Sequence, residues 1–123
     1  MSRADVKSMS VKELVDRFAS LAIEQDDAEL WSNIRRVNQL YREIEMVEVE
    51  LKSRSGDQRT ALLTLYSHPN AQVRLKAALA TLAVGPTAAR AVLQEIIERK
   101  EYPQMADAIG MLRALDAGRY VPE

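Results

Sequence analysis

The stretch His68-Pro-Asn-Ala-Gln-Val-Arg-Leu-Lys-Ala-Ala-Leu-Ala-Thr-Leu-Ala-Val-Gly85 decides the fold. It reads as one helix, because Asn70 is a good N-cap behind a proline that a helix interior excludes, and Gly85 is a good αL stop. At 100° per residue its apolar side chains form two ridges. Leu75, Leu79 and Leu82 line one side, and Val73, Ala77, Ala80 and Val84 line nearly the opposite side. A helix apolar on two faces must be covered on two faces. This one belongs in the middle of a stack of helices.

The segments on either side supply the rest of the stack. Ser10-Val-Lys-Glu13 has the form of a capping box, and the helix it opens carries Val11, Leu14, Val15, Phe18, Leu21 and Ala22 on one face. Asp26 and Asp27 offer the next cap. From there Leu30, Ile34, Val37, Tyr41, Ile44 and Leu51 recur at three- and four-residue spacing, which predicts one long helix to about Lys52, roughly 38 Å in length. Ser53-Arg-Ser-Gly56 closes it and marks an internal joint. A short helix capped by Asp57 follows, carrying Ala61, Leu62, Leu65 and Tyr66. Beyond the two-faced helix, Gly85-Pro86 is both a stop and a restart. Ala89, Val92, Leu93, Ile96 and Ile97 then form a one-sided stripe; a turn at Tyr102-Pro103 leads to a last helix with Met105, Ala108, Ile109, Leu112 and Leu115, ended by Gly118. No segment alternates with period two, so no sheet is expected. The prediction is an all-α chain of about six helices in three antiparallel pairs, because short connections make sequential helices antiparallel neighbours.

Composition narrows the function classes. The chain has 123 residues, 47% hydrophobic and 28% charged, which suits one soluble domain over 1–123 with a single core. Seventeen lysines and arginines against eighteen acids give a net charge of −1, which supplies no bulk attraction to nucleic acid or anionic lipid. The absence of cysteine removes disulfides and thiolate chemistry and fits a reducing cytoplasm. No apolar run approaches the ~18 residues of a membrane span, and residues 1–9 lack a signal-peptide core, so they read as a loose tail. Units are then expected over 10–53 (an N-terminal helix pair), 57–85 and 86–118.

The last two units repeat. A shift of 33 residues superposes Leu79 on Leu112, Leu82 on Leu115 and Gly85 on Gly118, and a shift of 34 superposes Pro69 on Pro103. Such units stack because none buries its faces alone. Pro69-Asn-Ala-Gln-Val73-Arg74-Leu-Lys-Ala77-Ala78-Leu-Ala-Thr-Leu82 resembles the second helix of a HEAT repeat, with its Pro turn, Val-Arg, paired alanines and leucine. The resemblance is good over 57–85, weak over 86–118 and poor before residue 56. The whole chain also resembles a family of small bacterial proteins of unknown function thought to form short HEAT-like superhelices. The resemblance implies an α-α superhelix, and an arginine after valine that pairs with an acid six residues earlier to bridge repeats. Here His68 holds that acid position, so Arg74 is expected to reach Asp107 of the neighbouring unit instead, as a structural repeat bridge.

No catalytic pattern, cofactor loop or metal-ligand spacing is present, so no catalytic, cofactor-binding or metal-binding residue is expected. His68 is the only histidine and reads most simply as a turn residue. Glu43, Glu45, Glu48 and Glu50 are spread around their helix as a solvated face, with Glu50 placed to pair with Arg54. Trp31 reads most simply as a tryptophan covering the core edge with the first helix; with Arg35 and Arg42 it is otherwise a candidate partner-binding group, since Trp and Arg make interface hot spots. Ala106, Gly110 and Ala114 form a ridge of small residues on the last helix that a second copy or the C-terminal tail of Tyr120, Val121 and Pro122 would cover. The expected function is a non-catalytic protein-binding or scaffolding module whose partner is another protein or a second copy. The analogy of other small bacterial helical proteins allows a toxin-neutralising or regulatory role. The alternatives are a HEAT-like nucleic-acid binder, which the net charge disfavours, and an accessory subunit of a larger enzyme.

Overall fold

The structure is a computed structural model that describes residues 2–123, so Met1 of the expected tail lies outside the described residues. Among the described residues it is all helical and contains no strand. Six α-helices run α1 (Arg3–Lys7), α2 (Val11–Leu30), α3 (Ile34–Ser53), α4 (Ala71–Ala80), α5 (Pro86–Glu98) and α6 (Gln104–Asp116), with a 3₁₀ segment over Gln58–Ser67. The chain divides into two compact units between Leu62 and Leu63.

The first unit is a hairpin of α2 and α3, and it corrects the expected lengths. Asp26 and Asp27 do not cap a new helix; α2 runs through them to Leu30. Its end is a Schellman turn, in which the Asn33 N–H donates to the Ala28 carbonyl at 2.9 Å and the Ser32 N–H to the Glu29 carbonyl at 3.0 Å. Ser32 holds the left-handed position at φ +54°, where glycine is the usual resident. Asn33 then caps α3, accepting from the Arg36 N–H at 3.2 Å. Both helices therefore have 20 residues, each about 30 Å long. The break also resets the helical phase. The buried stripe of α3 is Leu40, Ile44, Val47 and Leu51, while Leu30, Ile34 and Tyr41 of the expected stripe are exposed.

The expected loose tail is instead a docked helix. Ser2 and Asp5 form a capping box that starts α1, and Val6 is buried. Arg54 holds the segment down: its guanidinium donates to the Met9 carbonyl at 2.7 Å and the Val6 carbonyl at 3.2 Å, while Glu50 accepts from its Nε at 2.9 Å. Ser10 and Glu13 form the expected box at the start of α2, and those hydrogen bonds hold the Glu13 carboxyl below its usual range.

The residues expected as a short α-helix after Asp57 wind as a 3₁₀ segment. The burial pattern fits that winding, because Arg59, Leu62 and Leu65 are buried at intervals of three, and three residues make one turn.

In the second unit α4 is buried on both ridges. Leu75, Ala78 and Leu82 join Ala89, Leu93 and Ile96 of α5 and Ala108 of α6 in one core; Val73, Ala77 and Ala80 are buried on the other flank. The helix ends at Ala80, short of Gly85, where the Thr81 hydroxyl donates to the Ala77 carbonyl at 2.7 Å and ties the side chain back onto the last turn. Gly85, at φ −150°, is not the expected αL stop but the N-cap residue of α5, with Pro86 in its first turn. Two glutamines, Gln72 and Gln104, are buried against each other, the Gln104 amide donating at 3.0 Å.

Candidate functional site

Local chemistry makes the turn between α2 and α3 unusual. Leu30 is 77% exposed, Trp31 76% and Ile34 71%, so three large apolar side chains within five residues stand in water. Trp31 does not cover the core edge. It occupies the C-cap position of α2, carried past the last buried residue, Ala28, by the Schellman turn. Beside it Ile23, Glu24, Asp27, Asn33 and Arg36 line a shallow cleft of about 650 Å³.

The charges around this tip run against the helix dipoles. The last turn of α2 carries Asp27 and Glu29 and no base, at the end where a helix is negative. The first turn of α3 carries Arg35 and Arg36 and no acid, at the end where a helix is positive. One cross-pair relieves part of this: Arg36 donates to Glu24 at 2.8 Å. Of the charges that line the cleft, Glu24 is paired with Arg36 and Asp27 is left over, so the rim of the apolar tip is mildly acidic.

The other expected site residues are dispersed. Arg35 is exposed at the tip, but Arg42 lies two turns further along α3 and lines a different groove, with Val6, Met46 and Val49. Of the acidic run, Glu50 is committed to Arg54. On α6, Ala106 and Gly110 are exposed and Ala114 is partly buried. A Cβ added at Gly110 would meet nothing within 4 Å, so the C-terminal residues do not cover that point of the ridge. Asp107 is exposed in the first turn of α6 and does not bind Arg74.

The acid that Arg74 binds is Glu101. Arg74 is 4% exposed, and its fork donates to both Glu101 oxygens at 2.7 Å; its Nε donates to the His68 carbonyl at 2.7 Å. The two hydrogen bonds from Arg74 hold the Glu101 carboxyl below the usual range, against the opposing effect of its burial. His68 has a local task, its Nδ1 accepting from the Asn70 N–H at 3.0 Å. The register that suggested Asp107 contained a better signal: moving the acid position, His68, by 33 residues lands on Glu101. Nothing in the residue pattern around Gln72 or Gln104 singles out that buried pair.

Among the described residues no group of three or more acids and histidines is placed to hold a metal ion, and no helix is long and apolar enough to cross a membrane. No curated protein matches the chain. A crystal structure of the protein RPA1889 from Rhodopseudomonas palustris CGA009 is similar to it, with a TM-score of 0.94 and 47% identity, over 96% of this chain and 98% of that one. The pattern of a domain of unknown function, DUF2019, matches residues 12–116. With most of its length inside that match, the chain belongs to the DUF2019 family.

Proposed function

We propose that this chain is a non-catalytic protein-binding module and that the α2–α3 tip is the surface it binds with. The exposure of Leu30, Trp31 and Ile34 together carries the reading. Scattered apolar side chains on a surface are ordinary, but three exposed within five residues are not, and the middle one, Trp31, is of the residue type most enriched in binding hot spots. The charges opposed to both helix dipoles point the same way, since a sequence departs from its own local rules most often where function demands it. The acidic rim selects a partner with basic residues around an apolar patch and works against docking to anionic lipid.

The helix pairs of the second unit are read as HEAT-like. Arg74 and Glu101 stand at the positions that the 33-residue register equates with the arginine and the acid of that repeat, and their fork-to-carboxylate pair joins one unit to the next. This supports a stacked-repeat scaffold that carries a binding surface and has no chemistry of its own. The absence of cysteine and the single histidine fit that reading and a reducing cytoplasm.

Photocrosslinking in cells tests the tip. A crosslinking amino acid at Trp31 should give a discrete adduct with a protein that is absent when the crosslinker replaces Lys12, an exposed residue at the start of α2. Identical products from the two positions would remove the tip as a docking surface.

A further inference from the structure

A second apolar surface lies at the other end of the same hairpin. The groove between α1 and α3, about 570 Å³, has Val6, Met46 and Val49 on its walls and Arg3, Lys7 and Arg42 around it. None of those three cations has a hydrogen-bond or ion-pair partner among the described residues. Of the two acids on the groove, Glu50 is paired with Arg54, which leaves Glu45 against three cations. The groove is thus apolar with a basic rim, and the tip is apolar with an acidic one.

We infer that the tip of one copy docks into the α1–α3 groove of a second copy, with Trp31 and its neighbours against Val49 and Met46 and Asp27 of α2 facing Arg3, Lys7 and Arg42. This names the partner of the tip and so rests on the tip being a docking surface. Charge complementarity identifies the occupant: the groove calls for an acidic, apolar projection, and the chain itself presents one. The contact cannot form within one molecule. Met46 to Val49 lie some 12 to 15 residues along α3 from Ile34, about 20 Å on a rigid helix. The contact joins one surface to a different one, so copies either exchange tips about a two-fold axis and close as a pair or continue as a chain. A single tip in a groove only as long as the five-residue α1 buries too little for a permanent interface, which puts it in the weak, transient class. Its strength then depends on salt.

Sedimentation of the full chain over rising concentration tests this with two variants altered only at exposed side chains. One is Leu30→Ser with Trp31→Ser, the other Arg42→Glu with Val49→Glu. Circular dichroism confirms that both remain helical. The wild type should at least double its average mass at high concentration and fall back in high salt, and each variant alone should stay monomeric. An equimolar mixture should form a two-chain species and nothing larger, because the groove of the first variant still accepts the tip of the second. A wild type that is monomeric to about 1 mM, or an oligomer indifferent to the groove variant, would overturn the inference. Neither result touches the crosslinking outcome at Trp31, so failure of the self-contact is distinguishable from failure of the tip as a docking surface.

Discussion

Two helices of this chain end in the same backbone device and are used in opposite ways. α2 stops with Ser32 in the left-handed position, and α5 stops with Lys100 there, at φ +54° in both cases. In each, the next residue closes the turn from its N–H: Asn33 to the Ala28 carbonyl at 2.9 Å, Glu101 to the Ile96 carbonyl at 3.1 Å. After α5 the closing residue turns its carboxylate onto buried Arg74, so the turn is fastened to α4. After α2 the closing residue only caps the next helix, and the apolar side chains beside it are left in water. Backbone geometry alone does not separate a structural turn from a presented one. What separates them is whether a side chain from elsewhere is bound to the turn.

The largest expected effect breaks the fastened turn. Glu101→Ala leaves Arg74 charged and buried with only backbone carbonyls to accept from it, and should cost about 3 kcal/mol in chemical denaturation. The same pair sets a pH dependence. Because the Glu101 carboxyl is held below its unfolded value, its contribution is present above that value and is lost as the pH falls through the depressed folded one. Stability should therefore decline on acidification below about pH 4.5, the ordinary value for this group, and the decline should be shallower in Glu101→Gln.

A smaller effect sharpens the likeness of the two turns. Ser32→Gly and Lys100→Gly should each stabilise by about 0.5–1 kcal/mol, since glycine relieves the left-handed strain at some cost in unfolded-state freedom. Matching gains would show the two backbones to be equivalent. The smallest effect marks their difference: Trp31→Ser should change stability by no more than about 0.5 kcal/mol, as expected of an exposed side chain with no folding task. A loss of several times that would mean the indole packs on the molecule.

Fold class was legible because it rests on periodicity, and α4, α5 and α6 carry clear stripes. The end of α2 was not, because the sequence offers Asp26-Asp27 as a cap and puts serine where glycine would announce a stop. Joining two helices into one then averaged their phases, which placed Leu30, Ile34 and Tyr41 on a core face they do not share. The helix in the tail is hidden for a related reason. Five residues make a negligible helix by themselves, and α1 depends on a docking arginine 45 residues downstream of Met9. At the candidate site, Trp31 was visible as a hot-spot residue type, whereas its two apolar companions were hidden by that same phase error. Glu101 is legible only through the 33-residue register, which puts it at the acid position of the next unit; nothing in its own neighbourhood marks it.

Because Trp31 is the only tryptophan, the exposed tip also determines what optical experiments on this protein report. Its fluorescence in the folded state resembles that of an indole in water, so melting the helices shifts the emission little and an unfolding curve recorded that way is nearly flat. The same probe is open to collisional quenchers and turns blue when something dry covers it. That makes an untagged, unlabelled chain its own sensor of engagement and a poor sensor of its own unfolding.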